Sequence, residues 1–455
     1  RLLERIDSIA VNAVLFWRYG NAPRLLAERI GARPVDERTT TIGGNSPQLL
    51  VNDTAERIAA GRVRLALLAG AEAAATLARA RKKAVTVPWS AGGGDGAPEV
   101  LGDARPGTND HEVAHGLVMP IHVYPLFENA IRARHGWSIA AHRRRLGDLM
   151  SRFSRVAADN PYAWFRTARS AEEIATESPA NRMIGFPYMK YMNAIMDVDQ
   201  SAAVLMTSVG AARELGIHPS RWVYLRGSAD AHDHWWVSDR VNYWSSPALE
   251  LAGERALAQA GIDIGDVGLF DLYSCFPSAV QIARDALGID DDDPRPLTVT
   301  GGLPYHGGPA NDYAMHSIAT MMDRLRRSPR TIGVVTALGW YVTKHSVGVY
   351  ATEPASDVWS RADPAIGQVR LDAGAHPELV REPAGRGTVE TYTVLHDREG
   401  APNRGIVYGR LPDGRRFLAN TPEDRRLLES MTIDEAIGRT GEVTSADGRN
   451  RFDPD

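Results

Sequence analysis

The only cysteine of this 455-residue chain, Cys275, lies between an apolar run and a proline, in the stretch DLYSCFPSA. The run VGLFDLY predicts a buried strand, and PSAVQIARDALG predicts a helix with its apolar residues on one face. Cys275 is therefore expected at a strand-to-helix junction, where the partial positive charge of a helix N-terminus favours a thiolate. Such a thiol can act as a nucleophile or as an acid and base, but single cysteines are most often small buried hydrophobes. Position alone leaves both roles open.

A second group of candidates lies in the loop GGLPYHGGPANDYAM, residues 301–315. Its glycines allow the backbone to approach a ligand closely, and the helix N-terminus that follows offers N–H groups to an anion or a carbonyl oxygen. His306 has the chemistry to donate to an oxyanion or to shuttle a proton. The structural alternative is a tight turn with a surface histidine. Gly307, Gly308 and Asn311 are expected to line a substrate.

A third turn, in GWYVTKHSVGVY, places Lys344 and His345 after the apolar strand TIGVVTAL. The carboxyl ends of parallel strands are where α/β folds usually bind ligands. Cys275 is expected at another such end. The three turns, all from one half of the chain, are therefore candidates to converge on one pocket.

The elements that would position these residues alternate between helix and buried strand. In one example, the predicted helix SPQLLVNDTAERIAAG is followed by the predicted strand VRLALLAG. Ser46 is expected as the N-cap of this helix, with Pro47 at the first helical position. NDYAMHSIATMMDRLRRSP then TIGVVTAL is another, and PALELAGERALAQAGI then VGLFDLY repeats the order. This alternation predicts an α/β fold with a mostly parallel sheet. Its presence in both halves suggests an internal duplication.

Two regions depart from the alternation. Residues 86–190 begin with a Gly- and Pro-rich loop or flap, followed by PLFENAIRARHG and LGDLMSRFSRVAADN, which predict helices of an inserted subdomain. Near the C-terminus, GTVETYTVLHD and RGIVYGRLPDGRRFLAN predict strands, the second folded at a Pro-Asp-Gly turn. We predict an N-terminal half at 1–215 that contains the insertion, a C-terminal half at 216–355, and a small β-rich domain, an OB-like barrel, at 356–455.

Three segments resemble, in this order, the C-terminal half of thiolase superfamily members: GLFDLYSCFPSA, GGLPYHGGPANDYAMHSIATMMDRLR and TKHSVGVY. GGNSPQLLVNDTAERIAAGRVRLALLAGAEAA resembles the helix and strand that carry the family's nucleophilic cysteine. The likeness is nearest to the sterol-carrier-type thiolases and to actinobacterial thiolase-like proteins often labelled acetyl-CoA acetyltransferase, and it covers about residues 1–355. It implies a duplicated five-layer αβαβα fold. It also implies CoA or an acyl-CoA thioester as the ligand, with no further cofactor and no metal.

The resemblance places Gly44 at the position of the family's nucleophilic cysteine. Its neighbours Asn45 and Ser46 carry no thiol, and a serine at a helix N-terminus needs a base partner to act as a nucleophile. Thiolase chemistry uses two thiols in two roles, and this chain has one. Loss of a covalent nucleophile can lower turnover on the order of a millionfold. We therefore expect residues 44–46 to bind substrate, and ordinary thiolase activity to be absent.

The other catalytic positions match in part. Gly308 stands where the Gly-His-Pro motif of thiolases has its oxyanion-hole histidine. The His-Asp-Cys-Phe box of the sterol-carrier-type thiolases is replaced by Tyr-Ser-Cys-Phe, in which Cys275 matches the acid/base thiol. An acyltransferase or lyase that uses Cys275, Tyr273, His306 and His345 stays open as an alternative. So does a non-catalytic partner subunit that acts through residues 356–455.

Composition excludes several other classes. The net charge is −4, and in residues 360–455 acidic side chains outnumber arginines 17 to 14 with no lysine, so we expect no nucleic-acid binding. One cysteine excludes an intrachain disulfide and suits a reducing cytoplasm. No apolar run reaches the length of a transmembrane helix. We expect a cytoplasmic protein that does not bind a membrane.

The segment HEVAH, residues 111–115, matches the zinc-protease pattern, in which His111 and His115 bind the metal and Glu112 activates water. However, Gly116 and Pro120 follow at once and leave barely one helical turn. No third ligand is evident. We expect no metal site.

Overall fold

The computed structural model describes residues 2–90, 92–355 and 357–455. Within them the α-helices are α1 (Ala22–Ile30), α2 (Ser46–Ala59), α3 (Ala74–Lys82), α4 (Asp110–Ala114), α5 (Pro120–Arg134), α6 (Ile139–Asp159), α7 (Ala171–Ala175), α8 (Val209–Glu214), α9 (Pro247–Ala260), α10 (Pro277–Ala286), α11 (Tyr313–Arg327), α12 (Pro364–Asp372) and α13 (Arg425–Ile433). The strands are β1 (Ser8–Val11), β2 (Asp36–Thr40), β3 (Leu65–Ala73), β4 (Glu99–Leu101), β5 (Met183–Gly185), β6 (Tyr188–Met189), β7 (Asp199–Thr207), β8 (Tyr224–His232), β9 (Val267–Asp271), β10 (Ile332–Gly339), β11 (Lys344–Ala351), β12 (Gly385–His396), β13 (Pro402–Arg410), β14 (Arg416–Asn420), β15 (Thr440–Ala446) and β16 (Arg449–Pro454).

Two sheets form the body of the protein. The first has the strand order β4-β2-β1-β3-β7, and its pairs are parallel except β3 with β7. The second has the order β8-β11-β10-β9, and only β10 and β9 are parallel. The prediction of a mostly parallel sheet is therefore correct for the first sheet and wrong for the second. Residues 340–343 join β10 to β11, and this turn is too short for the crossover that a parallel pair needs.

Helices α2 and α11 pack against each other and against both sheets, so they form a middle layer. Strand β3 shows how one sheet serves two layers, because its successive side chains point to opposite faces. Leu65 and Leu67 face the core on the α1 side, whereas Ala66 and Leu68 face the middle layer. Helix α9 packs on β8 and β11 of the second sheet. The expected duplicated five-layer αβαβα arrangement is confirmed, with one middle helix from each half.

The region expected as an insertion, residues 86–190, is mostly helical. Its two amphipathic segments form α5 and α6 as predicted, and α5 packs on α10 and on β12. The Gly- and Pro-rich segment before them contains β4, which pairs with β2 at the edge of the first sheet. The domain boundaries after residues 215 and 355 stay predictions. Residues 1 and 356, at which two of the predicted domains begin, lie outside the described residues.

Strands β12 to β16 close into a five-stranded barrel, because β12 pairs with both β13 and β15, the two ends of the order β13-β14-β16-β15. Strands β13 and β14 are joined at the predicted turn, where Gly414 takes a φ of 86° that glycine adopts without steric cost. The short strands β5 and β6 extend the same sheet beside β12. The predicted C-terminal barrel is confirmed.

Buried polar bonds hold this barrel to the rest of the chain. Arg416 is fully buried, and its guanidinium donates to both carboxylate oxygens of Glu390 at 2.8 Å and to the Ser238 carbonyl at 3.0 Å. The Asn450 N–H donates to Nε2 of His115 at 2.9 Å. Buried polar groups are costly unless they are paired. These bonds therefore fix where the barrel sits on the insertion and on the C-terminal half.

Candidate functional site

Residues 41–46, here called the α2 loop, lead into helix α2 and contain Gly44. Ser46, expected as the N-cap, is the first helical residue, and Asn45 takes the cap position. The buried Ser46 hydroxyl donates to the Thr41 carbonyl at 3.1 Å. No basic side chain bonds to it in the part of the chain that the structure describes. A serine nucleophile at this position therefore lacks the base that it would need.

Tyr273 fills the space beside Gly44. A Cβ added at Gly44 would overlap the hydroxyl oxygen of Tyr273 and would lie 2.6 Å both from its ring carbon Cζ and from the Leu338 carbonyl oxygen. The backbone of Gly44 does not have a positive φ. The requirement for glycine here is therefore steric. The phenol of Tyr273 occupies the volume into which a nucleophilic side chain at this position would extend.

Asn311 holds the α2 loop through both ends of its amide. Its Oδ1 accepts a hydrogen bond from the Gly43 N–H at 2.9 Å, and its Nδ2 donates to the Ala13 carbonyl at 2.8 Å. Asn311 is buried. It thus ties the α2 loop to the segment that follows β1, and it positions the backbone next to Gly44.

Lys344 also contacts the α2 loop. Its Nζ donates to the Ile42 carbonyl at 2.7 Å, and a Cβ added at Gly43 would lie 2.8 Å from Nζ. Only 6% of Lys344 is exposed, and burial lowers the pKa of its amine to about 8. Next to it, Oδ1 of Asn45 is buried without a hydrogen-bond partner. The amine of Lys344 and the unpartnered amide oxygen of Asn45 therefore lie close together at the α2 loop.

Cys275 lies before α10 as expected, but its surroundings do not favour a thiolate. The hydroxyl of Tyr124 lies beside its thiol and donates its proton to the Trp340 carbonyl at 2.8 Å. Burial raises the pKa of the thiol to about 12, and its hydrogen bonds offset only part of that effect. In the free protein, desolvation therefore outweighs the partial positive charge of the helix N-terminus, which on its own would favour a thiolate.

His306 is fully buried rather than at the surface. Burial, together with the neighbouring His316, lowers its pKa to about 3, so the ring is neutral at physiological pH. Its ring packs edge-on against Tyr313, with 5.8 Å between centroids, and Tyr313 in turn packs edge-on against Tyr273 at 5.5 Å. Among the described residues, Nε2 of His306 has no hydrogen-bond partner. His306 thus lies one aromatic ring away from Tyr273.

Gly307 and Gly308 follow His306 in a turn that fits glycine. Gly307 has a φ of 109°, and a Cβ there would lie 2.5 Å from Oε1 of Gln200. The Gly308 N–H donates to the Ile195 carbonyl at 2.9 Å. This N–H is engaged within the chain and is not free to bind an oxyanion.

Lys344 and His345 are the first two residues of strand β11 and do not lie in the expected turn. Because successive side chains of a strand alternate, they point to opposite faces of the sheet. Nε2 of His345 lies 3.1 Å from the Ser246 hydroxyl and 3.4 Å from Oδ2 of Asp233. Arg240 lies 3.4 Å from the same carboxylate oxygen. His345 therefore belongs to a buried polar network with Ser246, Asp233 and Arg240, on the face of β11 opposite to Lys344.

All three predicted turns reach the α2 loop, through Tyr273, Asn311 and Lys344. Tyr273 and Asn311 were predicted as site residues. Lys344 was noted only as a member of its turn. Among the described residues, no hydrogen bond or ion pair joins the α2 loop to Cys275, His306 or His345. The functional roles of the predicted site residues stay predictions.

Sequence reasoning missed Tyr124, which reaches Cys275 from helix α5 of the insertion. No local pattern marks this residue, because it packs against a junction that is distant in sequence. Trp235 and Trp340 were also missed as neighbours of Lys344, with ring centroids 5.9 and 5.6 Å from Nζ.

The HEVAH segment is part of the interface with the barrel. Helix α4 ends at Ala114, Glu112 accepts hydrogen bonds from the N–H and hydroxyl of Ser238, and both ring nitrogens of His115 have partners. Among the described residues, no three His, Cys, Asp or Glu side chains group as a metal site requires. In the same residues, no helix combines the length and apolar character needed to cross a bilayer.

A groove of about 410 Å³ lies away from the α2 loop, between β8, α9 and the segment before α12. Arg226, Ser228, Gln259 and Trp359 are among its lining residues, and none of the predicted site residues lines it.

Residues 368–449 match a family model described as the thiolase-like protein type 1 additional C-terminal domain. A 3-ketoacyl-CoA thiolase of Salmonella paratyphi A is 28% identical over 195 residues, which are 39% of this chain and 43% of that protein. The match therefore spans less than half the length of this curated relative.

Two solved structures are similar over most of the chain. A monomeric SCP2-thiolase-like protein type 1 from Mycobacterium smegmatis is 38% identical with a TM-score of 0.85, covering 99% of this chain and 90% of that one. The Ltp2-ChsH2(DUF35) aldolase is 17% identical with a TM-score of 0.60, covering 77% of this chain and 87% of that one. The second likeness concerns the fold alone.

Proposed function

This chain belongs to the thiolase superfamily, among the SCP2-thiolase-like proteins of type 1, and from that premise we propose that it binds CoA or an acyl-CoA thioester without cysteine-dependent acyl transfer. The ligand class follows from the curated relatives, which are named 3-ketoacyl-CoA thiolases. We assign the binding of the ligand's acyl group to the α2 loop, where Gly44 and Asn45 would contact it. A cytoplasmic location and the lack of a further cofactor stay predictions.

The observation that carries the proposal is the overlap between Tyr273 and any side chain at residue 44. A covalent nucleophile needs its reactive atom within about 3–3.5 Å of the acyl carbon. At residue 44 there is no side chain, and the phenol oxygen lies in its place. The burial of Tyr273 raises the pKa of the phenol, so it stays protonated and can donate a hydrogen bond to a thioester carbonyl.

Cys275 is a poor substitute for the missing nucleophile. With a pKa of about 12, only a very small fraction of this thiol is ionised at neutral pH. The hydroxyl of Tyr124 lies beside the thiol, and neither His306 nor His345 bonds to that thiol among the described residues. The alternative acyltransferase or lyase, which needs Cys275 with a histidine as base, has less support from these contacts than the binding protein has.

The barrel supports a structural role more than a partner-binding one. Its buried arginine, Arg416, is bonded to Glu390 within the barrel and to Ser238 in the C-terminal half. Its Thr391 hydroxyl donates to the Leu126 carbonyl of helix α5, the helix that also carries Tyr124. The barrel therefore holds in place the helix that covers Cys275. Binding of a partner protein through residues 356–455 stays a prediction.

Calorimetric titration with CoA and acetyl-CoA, next to a thiolysis assay with acetoacetyl-CoA and CoA, tests the proposal. We expect saturable binding and no turnover above a blank without protein. Turnover that is abolished in Cys275→Ala would overturn the proposal in favour of the acyltransferase. Absence of binding to both CoA and acetyl-CoA would overturn the ligand class.

A further inference from the structure

Lys344 is buried without a countercharge. In the part of the chain that the structure describes, its Nζ forms no salt bridge, its one hydrogen bond goes to the Ile42 carbonyl, and Asp103 acts on it only at longer range. A buried ammonium needs a partner charge in contact or a full set of hydrogen bonds, and this amine has neither among the described residues. Lysines are rarely buried in this way unless they have a chemical role.

The surroundings of the amine are shaped around it. A Cβ at Gly43 or at Gly339 would lie 2.9 or 2.8 Å from Cε of Lys344, so both positions must be glycine to admit the side chain. Trp235 and Trp340 flank the amine with their rings. The indole N–H of Trp235 donates to the Pro106 carbonyl at 2.8 Å, so the segment after β4 adjoins this aromatic enclosure.

The turn that sets Lys344 in place is strained. Trp340 and Val342, neither of them glycine, have φ values of 57° and 56°. A positive φ is a steric outlier for a β-branched residue, and such strain clusters at functional sites. The buried Arg240 holds the turn by donating to the carbonyls of Tyr341 at 2.8 Å and Val342 at 2.6 Å. The network of His345 and Asp233 therefore affects Lys344 only indirectly, because Asp233 holds the guanidinium of Arg240 and Arg240 binds the carbonyls of this turn.

We propose that Lys344 is the nucleophile of this site, and that its amine forms a reversible imine with the keto group of a 3-oxoacyl thioester. The inference rests on the proposed function, because the thioester must first bind at the α2 loop. It names the substrate class within that function: an acyl chain with a ketone at C3. A saturated acyl thioester has no such ketone and would bind without this step.

The step conserves atoms and charge. The Lys344 nitrogen attacks the ketone carbon, a C–N bond forms, and the C–O π bond opens to a carbinolamine. The two protons of the amine pass to the oxygen, directly or by exchange with a neighbouring hydroxyl, and the oxygen leaves as water while the nitrogen keeps the carbon in a C=N bond. Tyr273, whose hydroxyl lies at the neighbouring Gly44, is positioned to donate a proton to that oxygen. No oxidant, reductant or metal is involved.

The neutral amine is the reactive form, so adduct formation should increase with pH through the amine's pKa of about 8. Burial lowers that pKa, and Asp103 raises it in part. Arg105 forms an ion pair with Asp103 at 2.8 Å. His232 lies opposite Lys344 on the adjacent strand, and Tyr273 lies across the α2 loop.

Trapping with sodium cyanoborohydride, which reduces imines to stable amines, tests the inference on the full chain. The protein is incubated with acetoacetyl-CoA and the reductant, digested, and mapped by mass spectrometry. The chain has only three other lysines, Lys82, Lys83 and Lys190, and they serve as internal controls for adventitious adducts. Lys344→Arg keeps the charge without the nucleophile, and Lys344→Met removes both.

We expect a reductant-dependent adduct on Lys344 at least tenfold above that on any other lysine, and its loss in both variants. Thioester binding without a Lys344 adduct would overturn the inference and leave the proposed function standing. A failure to bind any CoA thioester would overturn both. An adduct on Lys344 that has the mass of an acetoacetyl group without CoA would be an amide, and it would overturn the imine. Labelling spread evenly over the lysines would do the same.

Discussion

The hydroxyl of Tyr273 lies where a side chain at Gly44 would begin, although the two residues come from opposite halves of the chain. The two positions are therefore coupled: the glycine makes room for the phenol, and the phenol closes the place of the nucleophile. A thiol cannot be restored at residue 44 without moving Tyr273. Under the proposed function, a glycine at residue 44 is therefore part of a packing change that involves Tyr273 and not an isolated substitution.

Gly44→Ala should destabilise the protein by roughly 1–3 kcal/mol, the usual cost of adding a methyl group to a filled space. Urea unfolding measures this. Gly265→Ala is the matched control, because a Cβ there meets no atom within 4 Å, and it should change the stability very little.

A double-mutant cycle locates the cause. Tyr273→Leu should make Gly44→Ala less costly by on the order of 1 kcal/mol, since it removes the atoms that clash. Equal costs of Gly44→Ala with and without Tyr273→Leu would show that the phenol does not fill this space.

The single thiol should react slowly in the native state. Because burial raises the pKa of Cys275 to about 12, iodoacetamide at pH 8 should label native protein roughly a hundredfold more slowly than the urea-unfolded chain. The unfolded chain supplies the control for the reagent. Equal rates in both states, or a native rate that levels off near pH 7, would mean that the helix N-terminus does produce a thiolate.

The barrel should depend on one buried ion pair. Arg416→Met removes two hydrogen bonds to Glu390 and one to the Ser238 carbonyl, while Arg410 still pairs with Glu390 at 2.6 Å, so it should cost about 1.5–3 kcal/mol of stability. Arg415→Met, next to it, removes an exposed pair with Asp413 and should cost less than about 1 kcal/mol. Thermal unfolding of both variants measures the difference. If the two variants unfolded at the same temperature, the buried pair would not be what anchors the barrel.

The free energy of unfolding should decrease as the pH is lowered below about 6.5, the ordinary pKa of histidine. Burial lowers the pKa of His111 to about 4 and that of His306 to about 3. Between pH 6.5 and about 4 the unfolded chain binds more protons than the folded one. This contribution is therefore complete above pH 6.5 and is lost as the pH decreases. In urea titrations, His306→Asn should make the dependence of unfolding free energy on pH shallower by close to one proton. An unchanged slope would contradict burial of a neutral ring.

Periodicity was enough to predict the elements that carry the site. The apolar spacing in NDYAMHSIATMMDRLRRSP predicted α11, and the Pro-Asp-Gly turn predicted the hairpin of β13 and β14. The alternation of helix and strand predicted the α/β class. These features are local, and local patterns determine them.

The contacts that define the site depend on packing between distant segments. Nothing near Cys275 shows that Tyr124 will help to bury its thiol, so the sequence alone could not weigh desolvation against the helix N-terminus. Nothing near Lys344 shows that β11 turns back on β10, because strand direction depends on the four-residue turn between them. The sequence shows that residue 44 is a glycine, but it does not show that the phenol of Tyr273 fills the space beside it.

Intact-protein mass spectrometry after incubation with acetyl-CoA tests the central claim most directly, because this thioester can acylate a nucleophile but has no ketone with which to form an imine. Under conditions in which calorimetry shows binding, we predict an unmodified protein mass and no release of free CoA. An acetyl group on Cys275, Ser46 or any other residue, appearing and then disappearing as free CoA accumulates, would contradict the account.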